Sequence, residues 1–122
     1  MVLVSIALAT YNGEKYIREQ LESILEQSFQ DFEIVIRDDC SDDKTYDILK
    51  DFERKDKRII LNRNEKNLGF SKNFETIIRE CKGKYIAFSD QDDIWTKNHL
   101  EVLLSIIEDR DVSCANSLLV SQ

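Results

Sequence analysis

The sequence predicts an α/β fold with a mostly parallel sheet and helices on both faces. Short apolar segments typical of buried strands alternate four times with segments whose apolar residues recur at the helical period. The three glycines fall between these segments and the chain has no proline, so no breaker interrupts the alternation. Strands that alternate with helices in this way pair in parallel through right-handed crossovers.

The predicted strands are short and mostly apolar. The first is the continuous apolar run 2–9, as expected for a strand covered on both faces. Further strands are predicted at 32–37, 59–61 and 84–88, and a fifth is predicted to begin within 112–120. Because no helical segment follows the fifth strand, we interpret the sequence as truncated after about that strand and as the N-terminal part of a larger protein.

Four helices are predicted from apolar residues that recur on one helical face. The apolar faces comprise Ile17, Leu21, Ile24 and Leu25; then Ile48, Leu49 and Phe52; then Phe70, Phe74, Ile77, Ile78 and Cys81; and finally Leu100, Leu103, Leu104 and Ile107. Asn12, either Ser41 or Asp42, and Thr96 are the predicted N-caps of the first, second and fourth helices. The third helix is predicted to end at Gly83.

Composition limits the classes of protein that fit. A length of 122 residues suits one domain, and a net charge of −7 argues against a nucleic-acid duplex or an anionic membrane as the main partner. Cys40, Cys81 and Cys114 form an odd, widely spaced set that fits neither a disulfide framework nor a zinc site, so free thiols in a reducing cytosol are expected. No apolar run approaches the length of about 18 residues that a membrane helix needs.

An acidic cluster follows the fourth predicted strand. Asp90, Asp92 and Asp93 lie within four residues of one another, at the strand end where open α/β sheets bind ligands. Each pair of carboxylates about 4 Å apart costs on the order of 4 kcal/mol at an effective dielectric near 20, so the cluster needs water or a cation. Two interpretations remain open: a site for a divalent cation and a phosphate, or a solvated acidic turn before a helix.

The other polar loops share this edge of the sheet. Thr10, Tyr11 and Asn12 follow the first strand, where helix-start amides suit a phosphate and Tyr11 suits a base, although simple capping also explains them. Asp38 and Asp39 follow the second strand and suit base N–H groups or ribose hydroxyls, although taken alone this loop is better explained as an acidic capping turn.

A third loop, residues 67–73, precedes the third helix. It either only caps that helix or, through Lys72 together with Arg63, faces a diphosphate. His99 is expected to be a solvated histidine. Together the loops and the acidic cluster fit a single ligand, a nucleoside diphosphate with a metal. No glycine-rich phosphate-binding motif is present.

Four segments resemble the family 2 glycosyltransferases over nearly the whole chain. They are residues 4–13 (VSIALATYNG), 34–43 (IVIRDDCSDD), 67–73 (NLGFSKN) and 88–95 (FSDQDDIW). The resemblance implies a Rossmann-like fold of the nucleotide-sugar-binding type called GT-A. On this basis residues 1–122 are expected to form the nucleotide-diphospho-sugar-binding half of a GT-A domain. The last segment is similar to the branch that includes bacterial rhamnosyltransferases of surface-polysaccharide assembly.

The resemblance also implies a role for each site residue. Thr10 and Tyr11, with Asn12 beside them, would hold a uracil or thymine base. Asp38 matches the family aspartate that hydrogen-bonds the base, with Asp39 next to it. The remaining roles fall to the acidic cluster: Asp90 would lie near the ribose, Asp92 would bind Mg²⁺ or Mn²⁺, and Asp93 would contact the sugar or the groups around the metal. Cys40 stands where the family usually has glycine, so a positive φ there would be strained.

The resemblance implies a metal-dependent inverting transfer of sugar from a UDP- or dTDP-sugar to a glycan or lipid-linked acceptor in cell-surface polysaccharide synthesis. The catalytic base is expected beyond residue 122, so the chain alone is expected to be inactive. We expect a cytoplasmic protein, peripheral at the inner face of the membrane in its full-length form, that forms homo-oligomers and binds no nucleic acid. Alternative interpretations are a non-catalytic nucleotide-binding or interaction module and a receiver-like signalling domain, which would need acidic residues where Thr10 and Tyr11 stand.

Overall fold

A computed structural model describes residues 2–89, 93–107, 112–114 and 118–121. Six strands and four helices occur within these ranges. In chain order they are β1 (Val4–Thr10), α1 (Ile17–Leu25), β2 (Phe32–Asp38), α2 (Thr45–Lys55), β3 (Ile59–Arg63), α3 (Phe70–Glu80), β4 (Tyr85–Ser89), α4 (His99–Ile107), β5 (Val112–Cys114) and β6 (Leu118–Ser121). In the described part of the chain, no helix is long and apolar enough to cross a membrane.

The strands form one mixed sheet in the order β3-β2-β1-β4-β6-β5. The first four strands pair in parallel, which confirms the predicted α/β class. The fifth strand predicted to begin within 112–120 is present as β5, and a further strand, β6, follows it. Strand β6 pairs antiparallel with β4, and β5 pairs antiparallel with β6. Asn116 and Ser117, which favour turns, divide the apolar residues of this segment in the sequence.

The helices cover both faces of the sheet, as predicted. Apolar side chains of α1, α2 and α4 pack on the face that carries Ile6, Leu8, Ile34 and Ile36. Helix α3 covers the opposite face, where Phe74 and Ile77 pack with Ala7, Ala9 and Val35. A strand presents alternate side chains to opposite faces, so these two sets follow directly from the odd and even positions of β1 and β2.

The predicted N-caps are wrong, because the loops before the helices are built differently. Helix α1 begins at Ile17, whose N–H donates to the carbonyl of Gly13, and no side chain caps it. Asn12 instead accepts a hydrogen bond from the N–H of Asp42, 2.8 Å away.

The other two predicted caps fail in the same way. Helix α2 begins at Thr45, and Asp43 accepts from its N–H, so neither Ser41 nor Asp42 is the cap. At α4 the N–H of His99 donates to the backbone carbonyl of Thr96, while the Thr96 hydroxyl donates to Asn98.

A buried polar contact ties the start of β4 to β1 and β2. Helix α3 ends at Glu80 rather than at the predicted Gly83, and the N–H of Gly83 donates to Ser5 Oγ at 2.7 Å. A Cβ on Gly83 would lie 2.6 Å from the backbone nitrogen of Ser5, so only glycine fits here.

Burial, followed by the charge of Glu33, raises the pKa of the nearby Cys81 thiol to about 11, which keeps the thiol neutral.

Candidate functional site

The site lies where the sheet changes winding direction. Strand β1 lies between β2 and β4, with Thr10 beside Asp38 and Leu8 beside Ser89. Helix α1 leaves β1 toward one face, whereas α3, which precedes β4, packs on the other face. The connections therefore diverge beyond the carboxyl ends of β1 and β4, which is the arrangement that opens a ligand crevice in α/β sheets.

A cavity of about 450 Å³ opens at this edge. Its lining residues are Ala9, Thr10, Tyr11, Asp39, Asn67, Gly69, Phe70 and Asn73. The structure thus brings together three of the residues predicted from the sequence, Thr10, Tyr11 and Asp39, while Asn12 and Asp38 do not line the cavity. The side chains of Tyr11 and Phe70 are 45% and 67% exposed, so their rings are accessible to a planar ligand.

Asp38 is completely buried and holds the loops together. Its Oδ1 accepts hydrogen bonds from the hydroxyls of Thr10, at 2.7 Å, and Ser41, at 2.6 Å. Its Oδ2 accepts from the N–H of Ser41 at 2.9 Å and lies 3.7 Å from Nε of Arg63. The role of Asp38 as partner of a base stays a prediction, and this geometry argues against it because protein donors already surround the carboxylate.

Asp39 organises the wall of the cavity. Its Oδ1 accepts from Asn64 Nδ2 at 2.9 Å and from the N–H of Leu68 at 2.7 Å, and its Oδ2 accepts from the N–H of Gly69 at 2.9 Å. The side chain is 4% exposed. A carboxylate offers about four acceptor positions, and the described residues occupy three of those on Asp39, so it retains capacity on Oδ2 for one more donor.

Asn64 and Asn73 are buried site residues that sequence reasoning did not identify. Asn64 Nδ2 also donates to Asn73 Oδ1 at 2.8 Å, and Asn73 Nδ2 donates to the carbonyl of Arg37. Asn73 is 2% exposed and lies on the buried face of α3 with Phe74 and Ile77. The sequence did contain one indication of this role, a polar residue on an otherwise apolar helical face. Burying an amide is costly unless it has hydrogen-bond partners in the fold.

Two residues in left-handed backbone conformations shape the neighbouring loops. Asn12 has φ 51° and Cys40 has φ 63°, so the expectation of a strained, non-glycine residue at Cys40 is confirmed. The Cys40 thiol donates to the carbonyl of Asn64 at 3.0 Å. The N–H groups of Asn12 and Gly13 donate across to the hydroxyls of Ser41 and Thr45, both at 2.8 Å. Asn12 therefore joins the first two loops and is not among the residues that line the cavity.

The acidic cluster is only partly described. Asp90 and Asp92 lie outside the described residues, so their predicted roles stay predictions. Burial lowers the pKa of His99 below its usual value, and the charge of the half-buried Asp93 raises that pKa by a smaller amount. His99 is 7% exposed and its ring lies 4.5 Å from that of Trp95, so the prediction of a solvated histidine is wrong.

The described residues contain no group of three histidine, cysteine or acidic side chains that could hold a metal ion. The predicted donor set nevertheless has suitable chemistry, since carboxylates directly after β4 are ligands that Mg²⁺ and Mn²⁺ accept. The contact of Arg63 with a diphosphate stays a prediction. Its guanidinium donates to the carbonyl of Ser41 and lies 4.8 Å from the ring centre of Tyr46. Lys72 is exposed on α3 and does not line the cavity.

Comparison with known proteins decides the family. Residues 5–121 match the family described as Glycosyl transferase family 2. The chain belongs to this family. Within family 2 glycosyltransferases, it is 40% identical over 115 residues to the putative teichuronic acid biosynthesis glycosyltransferase TuaG of Bacillus subtilis, covering 94% of this chain and 45% of that protein.

A further relative and a solved structure are also similar to this chain. The dTDP-rhamnosyl transferase RfbG of Shigella flexneri is 39% identical over 119 residues, covering 93% of this chain and 41% of that protein. The crystal structure of S. aureus TarS 1-349 in complex with UDP-GlcNAc superposes with a TM-score of 0.81 and 32% identity, over 91% of this chain and 32% of that one. The fold is therefore confirmed as GT-A, and the chain spans less than half the length of these relatives.

Proposed function

We propose that the chain binds the nucleoside diphosphate of a UDP- or dTDP-sugar and forms the donor-binding half of a metal-dependent inverting glycosyltransferase. The observation that carries this proposal is the cavity beyond the carboxyl ends of β1 and β2, which the buried Asp39 lines together with two exposed aromatic residues, Tyr11 and Phe70. Uracil and thymine each present a ring N–H to such an acceptor and flat faces to such rings.

The geometry favours Asp39 over Asp38 as the partner of the base. Asp39 lines the cavity and has acceptor capacity left on Oδ2, whereas Asp38 is enclosed by donors from Thr10 and Ser41. Thr10 contributes through its place in the wall, since its hydroxyl already donates to Asp38. We therefore assign base recognition to Asp39, with Asp38 holding the wall in which Asp39 lies.

The diphosphate and the sugar extend from the base toward the residues that follow β4. Asp90 near the ribose, Asp92 on Mg²⁺ or Mn²⁺ and Asp93 near the sugar complete the proposed site. A bound cation would offset the negative charge that develops on the leaving nucleoside diphosphate. The acceptor hydroxyl attacks the anomeric carbon, the bond from that carbon to the diphosphate breaks, and a general base from a segment beyond residue 122 takes the hydroxyl proton.

The biological role follows from the relatives as part of the same proposal. TuaG is described as a putative teichuronic acid biosynthesis glycosyltransferase and RfbG as a dTDP-rhamnosyl transferase. We propose a role in cell-surface polysaccharide synthesis, in the cytoplasm at the inner face of the membrane, with a glycan or lipid-linked acceptor.

Titration calorimetry with UDP, dTDP and ADP, each with and without Mn²⁺, tests the proposal. We expect both pyrimidine nucleotides to bind more tightly than ADP and to gain affinity with Mn²⁺. Asp92→Asn should remove the gain from Mn²⁺, while Asp42→Asn, at an exposed aspartate of the loop after β2, should keep it. Equal binding of ADP and UDP, or an unchanged Mn²⁺ effect in Asp92→Asn, would contradict the assignment.

A further inference from the structure

A row of neutral polar side chains runs along α1 and the turn that follows it. Gln20, Ser23 and Gln27 are spaced so that they lie on the same side of the helix. Gln20 is completely buried and Gln27 is 1% exposed. A buried amide costs roughly 1–3 kcal/mol when it lacks hydrogen bonds, so these side chains need partners in the fold. We call the three residues the α1 polar row.

The side chains of the α1 polar row make four described hydrogen bonds to residues beyond α1 and its following turn, and these bonds go to the two flanks of residues 90–92. Before this stretch, Gln20 Nε2 donates to Ser89 Oγ at 3.0 Å, at the last residue of β4. After it, Ser23 Oγ accepts from the N–H of Trp95 at 3.0 Å. Gln27 makes two such bonds: Nε2 donates to the carbonyl of Thr96 at 2.6 Å, and Oε1 accepts from the N–H of Leu100 at 3.0 Å.

We propose that Gln20, Ser23 and Gln27 are positioning residues for the stretch that carries Asp90 and Asp92. They fix where the chain leaves β4 and where it enters α4, and so set the reach of the acidic residues toward the diphosphate. The inference rests on the proposed function, since it specifies how the same site is held. Positioning of this kind matters because a misplacement of 1 Å at a reacting centre can cost about a hundredfold in rate.

The chemistry of the α1 polar row suits this task. Three neighbouring carboxylates repel one another, so the segment that carries them needs anchors that do not depend on their charge. Amide and hydroxyl groups supply such anchors, whereas an arginine or lysine in the same place would pair with the carboxylates and compete with a cation for them. Three of the four described bonds from the row to this segment involve backbone groups, those of Trp95, Thr96 and Leu100, so this anchoring does not depend on carboxylate charge.

The decisive variant is Gln27→Leu, which removes both bonds to the segment after the acidic cluster with little change in side-chain volume. The matched control is Gln30→Leu, at an exposed glutamine whose bonds go to Leu25, Gln27 and Arg58. Ser23→Ala removes a single bond from the row and serves as a milder variant if Gln27→Leu fails to fold. Each protein is titrated with UDP alone and with UDP plus Mn²⁺, and amide hydrogen exchange is measured over residues 93–100.

We expect Gln27→Leu to bind UDP alone with an affinity within twofold of the parent's. The factor by which Mn²⁺ raises the affinity for UDP should be about tenfold smaller than in the parent, as for a modest misplacement. The amides of Trp95 and Leu100 should exchange at least about tenfold faster, since each tenfold change reflects about 1.4 kcal/mol. Ser23→Ala should change both readouts less and in the same direction, and Gln30→Leu should change neither. A purely structural role would lower stability while leaving the ratio of the two UDP affinities unchanged.

Two results overturn the inference: an unchanged Mn²⁺-dependent gain in Gln27→Leu, or unchanged exchange at Trp95 and Leu100. Failure of the proposed function looks different, because the parent protein would then bind neither UDP nor dTDP. In that case hydrogen exchange still decides the anchoring itself: faster exchange confined to residues 93–100 supports it, and unchanged exchange overturns it.

Discussion

Paired substitutions at Asp38 and Asp39 separate support of the site from recognition of its ligand. Asparagine has nearly the shape of aspartate, but it offers one acceptor oxygen and adds an N–H₂ donor. In Asp38→Asn the oxygen best replaces Oδ1, which accepts two hydroxyls, so the new N–H₂ faces the N–H of Ser41 and the guanidinium of Arg63. Losing one buried charge-assisted bond and opposing two donors should cost about 2–4 kcal/mol of unfolding free energy.

The same reasoning gives a different outcome for Asp39→Asn. Its oxygen best replaces Oδ1, which accepts from Asn64 and Leu68, so the N–H₂ faces the N–H of Gly69. Loss of that bond should cost about 1.5–3 kcal/mol of unfolding free energy. The acceptor for the base on Oδ2 is lost as well, so UDP and dTDP should bind about 10–100 times more weakly, equivalent to about 1.4–2.7 kcal/mol.

Urea unfolding measures the stability of each variant, and calorimetry measures its affinity for UDP, dTDP and ADP at a temperature where the variant is folded. Asp38→Asn should be destabilised yet keep the preference for pyrimidine nucleotides over ADP. Asp39→Asn should lose that preference. The reasoning is refuted if Asp38→Asn abolishes the preference with little loss of stability while Asp39→Asn retains it.

Three further outcomes are expected. Gly83→Ala should lower the unfolding free energy by about 3 kcal/mol, because its Cβ would lie 2.6 Å from Ser5 N and 2.8 Å from the Val4 carbonyl carbon; an unchanged urea midpoint would contradict this. Since the pKa of His99 is lowered in the fold, stability should be full above about pH 6.5 and fall as the pH drops through that value, by at most about 1.4 kcal/mol per pH unit. His99→Gln should flatten this slope, and the chain has no other histidine that would produce it. Phe70→Ala should weaken UDP and dTDP by about 1–3 kcal/mol through lost stacking, with little change in stability because the ring is 67% exposed; calorimetry and urea unfolding check both parts.

The fold was predictable because its signals are local. The apolar runs of β1 to β4 and the helical periods of α1 to α4 are each contained in a short stretch of sequence. The caps were not predictable in the same way, because Asn12 and Ser41 have polar side chains suited to capping but use them between loops. Asn12 accepts a hydrogen bond from the N–H of Asp42, which lies 30 residues further along the chain. The local sequence thus identifies side chains that hydrogen-bond to backbone groups, but it does not show which residue supplies the backbone group.

The α1 polar row illustrates the same limit. The apolar residues Ile17, Leu21 and Ile24 correctly indicate the face of α1 that meets the sheet. Gln20 and Gln27 are equally buried, yet glutamine is mostly an exposed residue and gives no signal of burial by itself. Their partners lie about 70 residues away in the sequence, so the need for buried amides appears only when β4 and α4 are in place.

The roles of the two adjacent aspartates follow from the alternation of side chains along β2. Ile34, Ile36 and Asp38 occupy even positions, and the two isoleucines pack under α1 and α2. Val35 and Asp39 occupy odd positions, and Val35 packs under α3, the helix whose first turn borders the cavity. Continued alternation past the end of the strand turns Asp38 toward the enclosed side and Asp39 toward the open one. The pattern of β2 was readable in the sequence, but the side on which α3 crosses was not, so the choice between the two carboxylates required the structure. The two adjacent aspartates of this chain therefore have different surroundings, and the odd and even positions of β2 determine which carboxylate lines the cavity.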